Sequence, residues 1–581
     1  MIRDGGVGRG SRGKRLWGAL AVVGAVLVLA TAVRAAPAPA SPAPAPVAPA
    51  VPDPGTAPAA DGGVPHDADR AAEPAPPSAP PAPGTNPDVA PAPAPSEPPA
   101  APPPEPPATT TPADARAGEL AEGEEGGSLK YILDDIEVRG NTKTRSRVVL
   151  RYVPFRPGDV IDVDDPSVEL ARYRLLGTGF FRTVELSLGK GKRRGHVVLI
   201  IEVTERNTLV VNDLWMGLAA DADTNGKVRP LTAYAGLDAA ETNLAGTGIT
   251  LGAAIGVAQD QLALRARYFD PAFLGSQWMT SGTLLYNDAD DFFGNAGVEF
   301  ENPSQQGVHE FAVVQYKRFG GSIGVGRDLS VTTQLWAQYR LEHVHAVVPL
   351  AASELRGTER EPIDFSILRG DSILSTISAT LQHDTRDKPI LPTRGWFASV
   401  TTEVSLSPLG SDYPYAKIDL LASRWWSLPW NHVLRLRLFG GAISGSAPFF
   451  ERYYVGDLSD FRAARVLGMN VERRPAPNFF DTDVVEVRYG DYAAKFDVEY
   501  RVPLYRGTRS VYAIDLFGRV GVFAIAGARD ITSPPAGYTG ASLIPIDFTA
   551  NLGVQMDTSA GGFTFALANV LGFLPALSEG Q

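Results

Sequence analysis

The chain has 581 residues, a formal net charge of -12 and no cysteine. Lack of cysteine excludes disulfides, thiolate metal sites and thiol catalysis, and the acidic balance gives no footprint for binding nucleic acid. Mean hydropathy is near neutral, which excludes a polytopic helical membrane protein but not a membrane β-barrel, whose alternating strands dilute the apolar signal.

The first 35 residues have the pattern of a secretory signal peptide. Four basic residues between positions 9 and 15 precede an apolar run from residue 16 to residue 33, and Val33 and Ala35 fit a cleavage site. The alternative is an uncleaved inner-membrane anchor, because the run approaches the length of a span. The low-complexity sequence that follows favours cleavage, so we predict an exported protein with residues 1–35 removed.

Residues 36–127 are dominated by proline and alanine and end in an acidic patch. This composition buries too little apolar surface to fold and favours extended polyproline II. We therefore predict a disordered linker that acts as a spacer in the periplasm. A segment that threads or contacts the cell wall is the alternative.

Residues 128–206 have the pattern of a small α/β domain. An alternating strand that ends at Gly140–Asn141 is followed by a helix over 144–152, a second helix that begins at Pro166 and ends at Gly177, and two strands near 183–188 and 196–205. This order, with RGN early and GFF after the second helix, resembles a POTRA domain. The resemblance implies a domain that receives client polypeptides by strand addition, whereas a purely structural spacer domain is the alternative.

Residues 207–581 show short alternating runs separated by Gly, Asp, Asn and Pro, with no convincing helical span. In HVLRLRLFGG, Leu436 and Leu438 oppose Arg435 and Arg437, and similar runs occur at 261–268 and 334–341. Arginine pairs that face a soluble core are costly, but a wet lumen accepts them. We predict a mainly β fold, a transmembrane antiparallel β-barrel of about 16 strands that carries one small α/β domain.

A charged hairpin with a Pro/Gly turn begins at His383, in the stretch HDTRDKPILPTRGWFASVTTEVS. We expect an ordered rim at the barrel edge, because proline and glycine favour a tight turn before the alternating strand. The alternatives are a solvated turn with incidental charges and a direct contact with client polypeptides. The residues of this rim hairpin are Asp384, Arg386, Asp387, Pro392, Gly395 and Trp396.

Two later segments follow, ERYYVGDLSDFRAAR from Glu451 and KFDVEYRVPLY from Lys495. Together with the rim hairpin, and in this order, they resemble the BamA/TamA family of outer-membrane assembly barrels, within the bacterial surface antigen superfamily. The resemblance extends from about residue 129 to about residue 571. It implies an outer-membrane barrel whose single POTRA domain and linker lie in the periplasm.

The resemblance also implies that a long extracellular loop folds back into the lumen. The family's loop arginine, which lies in a V-R-G-F type sequence, corresponds to Arg462 between Phe461 and Ala463. Ala463 stands where the family usually has glycine. Its carboxylate partner corresponds to Glu499 in DVEYRVPL, with Asp515 as a second candidate. A guanidinium suits this role because it stays charged and forks onto carboxylates. We refer to this predicted pairing as the loop lock, and the alternative is that Arg462 is an ordinary solvated residue.

Catalytic and metal-binding patterns do not emerge from the sequence. There is no P-loop or H-E-x-x-H sequence. His343 and His345 share one strand face, but no cysteine or acidic cluster supports a metal site there. We predict a protein that is not an enzyme and has no cofactor and no metal.

The predicted function, inferred from the family, is insertion of proteins into the outer membrane or translocation of polypeptides across it. The expected partners are unfolded outer-membrane or secreted polypeptides, outer-membrane lipid and periplasmic accessory proteins. Two alternatives are a two-partner-type secretion transporter and a passive pore or structural surface barrel. The single POTRA domain and the Pro/Ala linker count against the first, and the POTRA domain and the loop arginine count against the second.

Overall fold

A computed structural model describes residues 130–162, 166–222, 228–294, 297–301, 308–309, 311–349, 351–356, 359–388, 390–459, 465–471, 489–528 and 546–568. These residues belong to one compact unit. The predicted signal peptide and linker lie outside the described residues, as do Phe461, Arg462 and Ala463. Among the helices that are described, none has the length and apolar character needed to cross a bilayer.

The α/β domain contains six elements: β1 Lys130–Arg139, α1 Ser146–Arg151, β2 Val160–Asp162, α2 Pro166–Gly177, β3 Phe181–Lys190 and β4 His196–Glu205. The sheet has the order β2-β1-β4-β3, with β1 parallel to β4. Alternating residues of β3 and β4 bury Val184, Leu199 and Ile201 against the helices. The predicted element order is present, with the addition of the three-residue strand β2 between the helices.

The remaining elements follow in chain order: β5 Leu209–Ala222, β6 Val228–Glu241, β7 Thr250–Ala258, β8 Gln261–Asp270, β9 Trp278–Phe293, β10 Val298–Phe300, β11 Val308–His309, β12 Ala312–Asp328, β13 Thr333–Val347, β14 Ala352–Arg356, β15 Glu359–Pro362, β16 Gly370–Asp384, β17 Gly395–Ser405, β18 Tyr415–Ser427, β19 Val433–Gly445, β20 Tyr453–Tyr454, α3 Val455–Ser459, β21 Arg465–Val466, β22 Met469–Asn470, β23 Tyr489–Gly490, β24 Tyr492–Arg506, β25 Val511–Ala526, β26 Ile546–Thr558 and β27 Gly561–Ala568.

Fifteen of these strands form one sheet, whose order runs from β5 to β27 with every pair of neighbours antiparallel. The fold is a nearly closed barrel, and the mainly β class predicted from sequence is confirmed. The sequence suggested about 16 strands for a region of this length, and the described residues supply fifteen. Loops at the end remote from the α/β domain add a small sheet of β10, β11, β14 and β15.

Side chains alternate between the lumen and the outer face, as the sequence pattern indicates. Leu438 on the outer face is 56% exposed, whereas Arg435 on the same strand reaches the buried carboxylate of Glu499 inside the barrel. A lipid-facing apolar side and a polar lumen account for this alternation. Arg435, one of the arginines that argued against a soluble core, therefore has an acidic partner inside the barrel.

The α/β domain is attached to several turns at one end of the barrel, here called the domain end. Arg145 N donates to Gly246 O at 2.9 Å, and a Cβ at Gly246 would collide with the carbonyl oxygen of Lys143. Arg174 forms an ion pair with Asp328, the last residue of β12. These contacts hold the domain across the mouth of the barrel.

Candidate functional site

The described residues of the rim hairpin, 384–388 and 390–396, lie at the domain end. Arg386 forks onto Asp384, with Nε at 3.0 Å from Oδ1 and Nη2 at 2.7 Å from Oδ2. The guanidinium also lies 4.8 Å from the ring centroid of Phe397. Two charge-assisted hydrogen bonds and a cation–π contact fix the start of the turn.

Asp387 fixes the other half of the hairpin. Its side chain is buried and accepts from the backbone amides of Thr393 at 2.8 Å and Arg394 at 3.2 Å. Gly395 has φ 111°, and a Cβ there would collide with the carbonyl oxygen of Thr385. Only glycine adopts this conformation without strain, so the residue closes the hairpin before β17.

The hairpin has contacts on two sides. Arg394 donates to Glu169 of α2 at 2.8 Å and also contacts the Tyr173 hydroxyl. On the lumen side, Arg501 donates to the carbonyl oxygen of Pro392. The rim hairpin therefore touches both the α/β domain and the inner wall, while Trp396 lies on the outer face.

Glu499 lies on the inner wall within a cluster of arginines. The carboxylate is 1% exposed, and its Oε2 accepts from Arg519 Nη2 at 2.7 Å and lies 3.2 Å from Arg435 Nη2. Its Oε1 lies 3.8 Å from Arg501 Nε. Since a buried carboxylate requires such compensation, these wall arginines already balance its charge.

Asp515 and Asp497 lie in the same wall. Asp515 accepts from Arg506 Nη1 at 2.5 Å and lies 3.9 Å from Arg501. Asp497 is 1% exposed, and neither of its oxygens has a hydrogen-bond partner among the described residues, although Arg519 Nε is 4.0 Å away. In this part of the wall, Asp497 is thus a carboxylate with unmet hydrogen-bonding capacity, two residues before Glu499 on the same face of β24.

The loop after β19 contributes a carboxylate to the lumen that sequence reasoning missed. Glu451 accepts from Arg340 Nη1 at 2.8 Å and lies 3.5 Å from Arg318. Arg340 also donates to Glu403 at 3.0 Å. The sequence offers little to predict this pair. Glu451 is the first residue of ERYYVGD and Arg340 lies on the inward face of its strand, but the two are 111 residues apart.

A second part of the same loop, the β21–β22 hairpin, packs on another part of the wall. Asn287 Nδ2 donates to Leu467 O at 3.0 Å, and Tyr316 OH donates to Gly468 O at 3.0 Å. A Cβ at Gly256 would lie 3.0 Å from Met469 Cε, so the absence of a side chain lets the hairpin approach β7 closely. The described parts of the loop therefore occupy the lumen.

The first and last strands of the sheet meet at a seam. Within the part of the chain that the structure describes, β5 and β27 share no ladder, and Val211 N donates to Ala560 O at 2.8 Å. Asn207 Nδ2 donates to Ser559 O at 3.1 Å. Both bonds lie at the domain end, so the described seam is held mainly at its base.

Glu205 connects the end of the α/β domain to its first loop. Burial alone raises the pKa of this carboxyl, but hydrogen bonds from the Thr142 hydroxyl and from the amides of Thr144 and Lys143 outweigh burial and lower the pKa below its usual value. The ionised carboxylate therefore stabilises the loop that touches the barrel turn at Gly246.

His343 and His345 lie on the outer face near the far end of β13. Their ring nitrogens lie 3.3 and 2.8 Å from the same oxygen of Asp371. In the described ranges, no cluster of three or more His, Asp or Glu side chains has the arrangement of a metal site. The two imidazoles are accounted for by their contact with this carboxylate.

Comparisons with known proteins identify both domains. The Omp85 superfamily domain model matches residues 243–568, and the model of the surface antigen variable number repeat, or POTRA, matches residues 131–206. The outer membrane protein assembly factor BamA of Nitratidesulfovibrio vulgaris is 25% identical over 344 residues, which are 57% of this chain and 38% of that protein. BamA of Neisseria meningitidis serogroup B is 24% identical over 421 residues, 69% of this chain and 46% of that protein.

Solved structures of similar proteins include BamA from Haemophilus ducreyi lacking POTRA domains 1-3, with 18% identity, a TM-score of 0.41, and coverage of 75% of this chain and 80% of that chain. CdiB from Escherichia coli has 12% identity and a TM-score of 0.47, and the match covers 76% of this chain and 73% of that one.

This chain spans less than half the length of the curated relatives that it matches. The matched Omp85 region is more than half of the chain, and the resemblance found in the sequence is confirmed. The chain belongs to the Omp85 superfamily, as a BamA/TamA-like outer-membrane β-barrel with a periplasmic POTRA domain.

Proposed function

We propose that this protein inserts outer-membrane polypeptides through the seam between β5 and β27. The observation that carries the proposal is the described seam itself, in which the edges of two strands approach without a ladder and a backbone bond links Val211 to Ala560 at the periplasmic end. The relatives named as BamA are outer membrane protein assembly factors, which agrees with this role.

The seam has the physical properties that a client strand requires. A backbone N–H or C=O group that lies in hydrocarbon without a hydrogen-bond partner costs on the order of several kcal/mol. A client strand that pairs with β5 or β27 removes that cost. The outward side chains next to the seam, Met216 and Phe565, are strongly exposed and apolar, so a paired client strand would lie directly against lipid.

The POTRA domain supplies a place for the client before insertion. In the sheet order β2-β1-β4-β3, strand β3 pairs on one side with β4 and its other edge is a sheet edge. An extended polypeptide adds to such an edge by main-chain hydrogen bonds with little dependence on its sequence. Unfolded outer-membrane polypeptides are therefore the proposed clients of this edge.

The loop lock remains part of the proposal. Arg462 is proposed to pin the loop to the acidic inner wall at Glu499, with Asp515 as the weaker candidate. Asp497 supports this assignment, since it adds a buried carboxylate without a hydrogen-bond partner among the described residues. A guanidinium from the loop would satisfy it without disturbing the arginines that already hold Glu499.

Depletion of the protein followed by quantitative proteomics of the outer membrane tests the proposal. Levels of several unrelated β-barrel proteins should fall together, while periplasmic proteins keep their levels. Loss of one secreted protein alone would indicate a dedicated secretion transporter. Unchanged levels of both classes would indicate a passive pore or surface barrel, and either result would overturn the insertion proposal.

A further inference from the structure

The positively charged side chain of Arg424 lies between two tryptophans on the outer face of the barrel, near the periplasmic end. Arg424 of β18 is the cross-strand neighbour of Trp396 on β17, and Trp426 follows two residues later on the same strand. The guanidinium carbon lies 4.5 Å from the Trp396 ring centroid and 5.5 Å from that of Trp426. The alternation of β18 places Arg424 on the lipid-facing side with Leu420.

Arg424 differs from the arginines inside the barrel. Arg340 and Arg519 both donate to carboxylates, whereas Arg424 has no ion pair or hydrogen bond within the described structure, and its buried Nε lacks an acceptor. Its cross-strand neighbours on this face are Trp396 on one side and Leu436 on the other. The protein thus surrounds this cation with apolar groups and supplies no anion there.

The position of Arg424 along the strand sets its depth in the membrane. Trp396 is the second residue of β17 and Trp426 is the last but one of β18, so all three side chains lie close to the periplasmic turns. Exposed aromatic side chains recur at this end of other strands, at Trp278 and Tyr500. Such a girdle marks the level of the lipid headgroups in a membrane β-barrel. Arg424 therefore faces the periplasmic leaflet where its phosphates begin.

We propose that Arg424, with Trp396 and Trp426, binds the phosphate of a glycerophospholipid in the periplasmic leaflet. A guanidinium presents a planar fork of donors that matches phosphate oxygens. Contact with the two indoles orients the fork and leaves its outer edge for the ligand. The acyl chains would then lie along Leu436, the cross-strand neighbour of Arg424, and Leu420, four residues away on the same face of β18. This site is independent of client insertion.

Native mass spectrometry of the full chain in detergent, titrated with dioleoylphosphatidylglycerol, tests the proposal. Arg424→Gln should weaken lipid retention at least fivefold, and Arg424→Lys, which keeps the charge without the fork, should fall between. Dioleoylglycerol, which lacks phosphate, should be retained no better by the parent protein than by Arg424→Gln. The matched control is Arg327→Gln, because Arg327 also lies over an indole, 5.3 Å from Trp278, but has a protein acceptor in Gln277.

Equal retention of phosphatidylglycerol by the parent protein and Arg424→Gln would overturn the proposal, as would equal retention of dioleoylglycerol and phosphatidylglycerol. A parallel titration with lipid A distinguishes the two sources of phosphate in the membrane, which are phospholipid and lipid A. Tighter binding of lipid A than of phosphatidylglycerol would overturn the assignment to a phospholipid. Heat-modifiable gel migration reports folding of each variant. Arg424→Lys provides the comparison if Arg424→Gln fails to fold, and its retention must then fall below that of Arg327→Gln.

Discussion

The carboxylate of Glu451 accepts a hydrogen bond from Arg340 at 2.8 Å, and so ties the extracellular loop after β19 to the wall strand β13 inside the lumen. Here the loop supplies the carboxylate and the wall supplies the guanidinium. The family resemblance implies the reverse arrangement, in which Arg462 of the loop pairs with a carboxylate of the wall. The lumen thus has a described attachment point for the loop in addition to the proposed one.

Replacing Glu451 with glutamine should destabilise the folded barrel, because Arg340 and Arg318 would lose a buried countercharge. Removing one partner of a buried pair costs about 3–5 kcal/mol, and Glu403 and Glu342 retain part of the interaction, so we expect the lower end of that range. Urea unfolding in lipid vesicles measures the change. Glu359→Gln, at an exposed position of β15, is the control, and equal midpoints for the two variants would contradict the attachment.

Arg462→Ala should increase protease cleavage of the loop, because the proposed pairing with Glu499 would be lost. The measurement is the rate of loop cleavage on intact cells, detected by immunoblot against an epitope tag inserted within residues 36–127. Arg473→Ala removes an arginine from the same loop outside the motif and should leave the rate unchanged. If cleavage of Arg462→Ala proceeds at the rate of the parent, the loop lock is wrong.

Gly395→Ala should impair the rim hairpin, because an L-residue at φ 111° is strained and its Cβ would meet the carbonyl oxygen of Thr385. Strain of this kind costs about 1–3 kcal/mol. Gly440→Ala is a matched control, since a Cβ there meets nothing within 4 Å. The folded fraction by heat-modifiable gel migration should fall for the first variant alone, and a comparable loss in both would argue against a special role for the hairpin.

The POTRA domain should lose stability on acidification through Glu205. Because the pKa of Glu205 is lowered in the folded domain by the Thr142, Thr144 and Lys143 hydrogen bonds despite burial, its stabilising effect is fully present above the ordinary glutamate pKa of about 4.3. The effect is lost as pH falls through the lower folded pKa. Urea titration of the full chain, followed by helical circular dichroism from α1 and α2, should show a weaker pH dependence in Glu205→Gln.

Glu202→Gln is the control for that measurement, since Glu202 is an exposed residue of the same strand. It should retain the pH dependence of the parent. An identical acid response in the parent and in Glu205→Gln would show that the loop at 142–144 does not depend on this carboxylate.

Closing the seam should stop client insertion. The absence of cysteine allows a single engineered pair, Asn207→Cys with Ser559→Cys, at positions where the Asn207 side chain lies 3.1 Å from Ser559 O. Joining the two with a short bismaleimide should arrest assembly of new outer-membrane barrels in reconstituted vesicles. Each single cysteine variant, treated in the same way, is the control, and continued assembly after joining would count against passage through the seam.

The barrel was predictable because its signal is periodic. Leu436 and Leu438 alternate with Arg435 and Arg437, and this pattern alone separates a lipid face from a wet lumen. The inward position of Glu499 follows from the same alternation. Strand β2 was missed because three residues give no period, and the Glu451–Arg340 pair was missed because a loop carboxylate has no periodicity and its partner is distant in sequence. The arginines around Glu499 come from three strands, whose register only the folded sheet defines.

The rim hairpin has hydrogen bonds on two sides. Arg394 of the hairpin donates to Glu169 of α2, and Arg501 of the inner wall donates to Pro392 O of the hairpin. The contact with α2 is an exposed ion pair, which contributes about 0–1 kcal/mol to stability. The contact with the inner wall is made by Arg501, whose side chain is almost completely buried. Of these two contacts, the exposed ion pair with α2 is therefore the weaker one. Loss of the contact with α2 would therefore leave the hairpin attached to the inner wall of the barrel through Arg501.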